Sequence, residues 1–213
     1  MKKQLVIIIA ILAATIALTS TLLFIAPSFS TPTINTSWFI VCNTGNTAHV
    51  KWIYDTYGGT IVNITEPQKY NNFGQNLLII GGSHDLGREA PWIELWPTME
   101  IICPDTYPGV RFEWDYSLNA WSIVTPKTVY YPTSSNQLGF IARGYDYKLR
   151  RWVIVVLGYD WWGTAYGAKL ICTQWDTLVR QNSYVIFKCT AYGGTETIPT
   201  YADFDGSIVE YGA

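Results

Sequence analysis

Hydrophobic and polar positions divide the chain into two unlike parts. The first is an unbroken uncharged run from Leu5 to Ala26, rich in Leu, Ile, Val and Ala, directly after Lys2 and Lys3; the next charged side chain is Lys51. The second is a series of short apolar runs separated by polar turns. Trp38 to Cys42 reads as a buried strand and Asn43 to Asn46 as a turn. Thr47 to Tyr57 carries Val50, Ile53 and Tyr54 at helical spacing and stops at Gly58-Gly59. With the β-branched stretch Thr60 to Ile64 it predicts a β-α-β unit. Asn76 to Gly82 is the clearest buried strand of the first half, and Ser83 to Glu94 a short helix.

The later pattern is more regular. Val110 to Asp115 and Trp121 to Tyr131 predict strands joined by a turn at Ser117 to Asn119. Leu138 to Asp146 and Trp152 to Gly158 predict two more, with a turn at Tyr147 to Arg151; the continuous apolar run of the second implies burial on both faces. Gly163 to Trp175 reads as a helix and Tyr184 to Cys189 as a strand. The class expected is α/β: a layered sheet with flanking helices, preceded by one N-terminal transmembrane or signal helix. The expected organisation is 1–30 as that anchor or signal and 31–213 as one extracytoplasmic domain.

Leu5 to Ala26 has the roughly 20 residues needed to cross a hydrocarbon core. Lys2 and Lys3 favour a cytoplasmic N-terminus. Ser28 and Ser30 offer a small-x-small pattern, so a cleaved signal is the alternative to a retained anchor. Gln4 stands where a pilin-type processing site carries Gly or Ala. Either way, the domain is expected outside the cytoplasm, at the cell membrane.

Composition sharpens this. The part after residue 30 holds twelve basic and sixteen acidic residues, a net of −4, which argues against nucleic acid as a partner. Its densest basic cluster, Lys148 to Arg151, reads as a solvated turn. Only 14% of the chain is charged while 15% is aromatic, the opposite of a disordered sequence. Cys42, Cys103, Cys172 and Cys189 all follow the apolar run. In an exported domain they suggest two disulfides with three possible pairings. Proximity along the chain favours Cys172–Cys189 and Cys42–Cys103, with loop-entropy gains of about 3 and about 4 kcal/mol; four buried free thiols are the alternative. Asn35-Thr36-Ser37 and Asn63-Ile64-Thr65 are glycosylation acceptor triplets.

The strand Leu77-Leu78-Ile79-Ile80-Gly81-Gly82, followed about seventy residues later by Trp152 to Gly158 and then Asp160, Gly163, Thr164, Ala165 and Ala168, resembles the C-terminal domain of archaeal S-layer proteins. There a Val/Ile-Val-Gly-Gly strand is paired with a later apolar strand, a Gly-containing loop, a Thr and an Ala-rich helix. The resemblance spans Asn76 to Trp175. It departs from the family in Ser83-His84-Asp85, where Pro and Asn often follow the glycines, and in the shortness of the chain. It implies a structural or adhesive role for a surface component or membrane-anchored accessory of the envelope. It carries over no catalytic residues.

Candidate chemistry is sparse. Gly158 to Thr164 links a strand to a helix start, where α/β sheets bind ligands, so Asp160, Trp161, Trp162 and Thr164 are the candidate ligand-binding residues. The alternative is a tight turn with Thr164 capping the helix. Trp161-Trp162 is expected exposed, because adjacent side chains in a loop rarely both bury. Ser83-His84-Asp85 cannot converge as a triad, and no catalytic residue, metal site or cofactor is assigned. His49 reads as half-buried, and Asp203, Asp205 and Glu210 as a solvated acidic tail. The function expected is a membrane-anchored structural or interaction protein whose partners are the membrane, through 5–26, and other envelope proteins or glycans. A carbohydrate-binding or adhesion module using exposed tryptophans, and a secreted hydrolase, are the alternatives.

Overall fold

The computed structural model describes residues 31–42, 48–63, 73–82, 102–131, 133, 137–191 and 204–212. The chain divides into two compact units, Met1–Pro32 and Thr33–Ala213, and the fold below is that of the second. The expected membrane segment, the helix expected at Ser83 to Glu94, and Asp203 lie outside the described residues. Among the described residues no helix is long and apolar enough to cross a membrane.

The elements are β1 (Phe39–Cys42), α1 (Ala48–Tyr57), β2 (Thr60–Asn63), β3 (Leu77–Gly82), β4 (Arg111–Asp115), β5 (Ala120–Val124), β6 (Val129–Tyr130), β7 (Gln137–Asp146), β8 (Arg151–Gly158), α2 (Trp161–Gln174) with a π-helical turn at Trp175–Val179, β9 (Tyr184–Ala191) and β10 (Phe204–Gly212). Seven strands form one sheet in the order β10-β9-β7-β8-β3-β1-β2, and β4-β5-β6 form a second. The stretch β8-β3-β1-β2 is parallel and β8-β7-β9-β10 is antiparallel.

Each apolar run supplies both faces of the large sheet. Ile40, Leu78, Ile80, Ile154, Val156, Val185 and Phe187 pack on one side with Val50 and Ile53 of α1 and Ala165, Ala168 and Ile171 of α2. Val41, Leu77, Ile79, Val153, Val155 and Ile186 pack on the other with Ile123, Phe112, Trp121 and Tyr130 of the small sheet. The described residues of this unit therefore form a three-layer stack of helices, mixed sheet and small antiparallel sheet. Gly58, at a φ of 73°, closes α1, and its N–H donates to Tyr54 O at 2.8 Å.

This overturns the expected α/β class with helices flanking the sheet. Strands make up 46% of the described residues against 22% helical, so the domain is mostly β. Two physical causes account for it. Half the large sheet is antiparallel, and antiparallel neighbours need only turns, not crossover helices. The β1-to-β2 and β8-to-β9 crossovers also run in opposite directions across the sheet, yet both helices lie on one face. Two right-handed crossovers would have placed them on opposite faces, so one of the two is left-handed, against the usual rule. The face left open is covered by β4–β6 instead.

Smaller differences follow. The stretch Trp121 to Tyr131 is two strands, because Thr125 accepts the Lys127 and Thr128 N–H groups at 3.1 and 3.0 Å and turns the chain. The C-terminal residues form the edge strand β10, not a solvated acidic tail. Arg151 is not in a solvated turn: it is 1% exposed and paired to Asp146 at 3.0 Å.

Candidate functional site

The strand-to-helix junction nominated by sequence is a densely packed joint. Asp160 is the helix cap, its carboxylate accepting the Gly163 N–H at 2.9 Å, so the cap is not Thr164 as expected. Thr164 instead aims its hydroxyl at Gly81 O, 2.8 Å away, and at Asp160 O, at 3.0 Å. That contact ties α2 to β3, the strand beside β8. Gly163 lets the start of α2 close onto β7: a Cβ there would stand 2.6 Å from Leu138 O. Helix α2 consequently begins two residues earlier than its predicted start at Gly163.

Trp161 and Trp162 sit in the first turn of α2, not in a loop, and both are half-buried. Their rings meet edge to face at 4.8 Å, and both pack on Phe204. The expectation that this pair stands exposed is therefore corrected. His49 of α1 packs its ring on Trp161 at 6.0 Å and is buried, not half-buried. Burial pushes its pKa down to about 4, so it is neutral near pH 7. Interlocked rings of this kind join α1, α2 and β10.

The most concentrated polar chemistry lies elsewhere, at Glu210 on β10. Its carboxylate accepts the hydroxyls of Tyr184, of Tyr130 at 2.9 Å and of Thr125 at 3.3 Å. Burial alone would raise this carboxyl, but the three hydroxyls outweigh it and hold its pKa below the ordinary value. Burial and the Glu210 charge push Tyr184 up to about 12. Lys127 Nζ donates to Tyr211 O at 2.6 Å beside the cluster. A β-bulge makes it possible. Ile208 pairs with Phe187 on the helical face, and after the register shift Glu210 pairs with Ile186 on the other. Without the extra residue, Val209 would take that place and Glu210 would face the helices. The sequence placed Glu210 with Asp203 and Asp205 in a solvated acidic tail, because a Glu near the C-terminus has no local signal of burial.

No disulfide joins Cys42, Cys103, Cys172 and Cys189. Cys42 faces the helical side of the sheet and Cys103 the other, so the sheet separates the expected Cys42–Cys103 pair. Cys189 feels the charge of Asp160 at the start of α2, whereas Cys172 lies twelve residues along that helix. At 1.5 Å per residue Cys172 is about 18 Å along the axis from Asp160, away from the end of α2 near which Cys189 lies. Burial pushes Cys42 up to about 11 and Cys103 and Cys189 up to about 12, which makes them unreactive at neutral pH.

The two acceptor asparagines, Asn35 and Asn63, are both exposed. Among the described residues no group of three or more His, Cys, Asp or Glu could hold a metal ion. At the tip of the β4–β5 hairpin Tyr116 and Leu118 are 88% and 60% exposed. Asp115 fixes that tip by accepting the Ser117 N–H and hydroxyl at 2.8 and 2.6 Å and the Tyr131 hydroxyl at 2.6 Å. No protein-family model matches the chain, and no curated protein matches it.

Proposed function

We propose that this chain is a membrane-anchored extracytoplasmic structural or interaction protein of the cell envelope, of the S-layer-associated type. The hairpin tip carries the interaction half of the reading. Two large apolar side chains, Tyr116 and Leu118, stand in solvent on a turn held rigid by Asp115. Holding such side chains in water is unfavourable, and a neighbouring protein that covers them regains that cost without first ordering the loop. The location rests on Lys2, Lys3 and the apolar run Leu5 to Ala26.

The resemblance is supported by how its pieces meet. The Gly81-Gly82 strand lies beside β8, and Thr164 bonds to Gly81 O, so the strand pair, the glycines, the threonine and the helix form one joint.

Fractionation combined with labelling of sealed cells by a membrane-impermeant amine reagent tests the reading. The expected result is a full-length chain in the membrane fraction with the domain lysines labelled. Recovery in the cytoplasmic fraction with lysines protected would overturn it. For the interaction, Tyr116→Ser with Leu118→Ser is expected to release the protein's envelope cross-links without altering its thermal unfolding.

A further inference from the structure

The two acceptor triplets are presented in different ways. Asn35, Thr36 and Ser37 form an exposed turn at the start of the domain. The Trp38 N–H donates to Asn35 O at 3.0 Å and closes the turn, and the wholly buried Trp38 ring anchors it. Within the turn, Asn35 Oδ1 accepts both the backbone N–H and the hydroxyl of Ser37, at 2.9 and 2.6 Å. The Asn35 Nδ2 makes only a long 3.4 Å contact to Thr33 O. Asn63 instead ends the edge strand β2 opposite Cys42, whose thiol donates to Asn63 Oδ1 at 3.6 Å.

From this geometry we infer that Asn35 is a glycan attachment site. An amide nitrogen is a poor nucleophile because its lone pair is delocalised onto oxygen. Hydrogen bonds into Oδ1 draw electron density towards oxygen and make the Nδ2 protons more acidic, which is the change the reaction requires. The triplet needs a hydroxyl two residues on, and Ser37 already holds one in place. The donor is an oligosaccharide linked through C1 to a lipid phosphate or pyrophosphate. The Asn35 Nδ2–C1 bond forms, the C1–O bond to the phosphate breaks, the lipid phosphate leaves with the electron pair, and one Nδ2 proton passes to a base. No oxidant or reductant is required.

The inference rests on the extracytoplasmic location proposed above, and the experiment separates the two. Full-length protein from its own cells is examined by glycopeptide mass spectrometry, alongside labelling of intact cells by an impermeant amine reagent. The expected result is a sugar mass on the Asn35 peptide and loss of that sugar in both Asn35→Gln and Ser37→Ala. Ser37→Ala keeps the acceptor nitrogen and removes only the hydroxyl. An unmodified Asn35 on a domain that labels from outside overturns the glycan assignment alone. A domain protected from the reagent overturns the location, and the assignment with it.

Discussion

The two faces of the seven-stranded sheet are held by different physics. On the helical face the contact is apolar and aromatic: Ile154, Val156 and Phe187 meet Ala165, Ala168 and Ile171, with the Trp161, Trp162, Phe204 and His49 rings interlocked above them. The small-sheet face has an apolar centre too, but it adds buried polar groups at two places. Arg151 and Asp146 pair beside Cys103, and Glu210 collects Tyr184, Tyr130 and Thr125. A helix brings a broad apolar stripe, whereas a three-stranded sheet offers a small face and little area. Burial is non-directional, so directional bonds are what fix how a small sheet sits. Buried ion pairs add little net stability, yet losing one partner is severe.

The largest expected effect tests that last asymmetry. Arg151→Met leaves Asp146 buried and uncompensated and should lower unfolding free energy by about 3–5 kcal/mol in urea titrations. Adding Asp146→Leu should recover most of it. If the double variant is as unstable as the single, the polar contact is a true source of stability on this face.

Next comes the acid behaviour of the helical face. The His49 pKa is lowered from 6.5 to about 4, so the folded state favours the neutral ring. Its contribution is complete above pH 6.5 and is lost as pH falls towards 4, by about 3 kcal/mol at about 1.4 kcal/mol per pKa unit. His49→Phe should flatten the stability profile through that window.

Glu210→Gln should cost about 1–3 kcal/mol at neutral pH by weakening the bonds from three hydroxyls. The signs are opposite for the two titrating partners. The Glu210 pKa is lowered, so its contribution is present above the ordinary carboxylate value and lost as pH falls through the folded value. The Tyr184 pKa is raised to about 12, so its contribution is complete below pH 10 and lost as pH rises towards 12. The variant should lack the Glu210 loss in acid. The smallest effect is the cap: Asp160→Ala should cost about 1 kcal/mol and fray α2 next to the tryptophans, read as faster amide exchange at Gly163.

Legibility tracked how local each signal is. Strands β1, β3 and β8 were readable because Trp38 to Cys42, Leu77 to Gly82 and Trp152 to Gly158 are uncharged and apolar throughout, and α1 because Val50 and Ile53 recur at helical spacing. The junction residues Asp160, Trp161, Trp162 and Thr164 were legible as a group, since glycines and a short polar side chain mark a strand-to-helix turn. Their roles were not. The hydroxyl of Thr164 is taken up by Gly81, 83 residues away in the chain, while Asp160 makes the cap. The cysteines misled for the same reason: nearness in sequence says nothing about which face of a sheet a side chain occupies.

By itself, then, the sequence determined most of the extended and helical segments, β10 excepted, and which of them are apolar enough to lie in a core, because those depend on periods of two or 3.6 residues. Tertiary structure alone decided that both helices share one face, that β4–β6 cover the other, that a bulge before Glu210 turns its carboxylate inward, and that Arg151 is buried. Each of these is a choice between two faces of one sheet. Short-range pattern is nearly indifferent to that choice, and packing between segments far apart in the chain settles it.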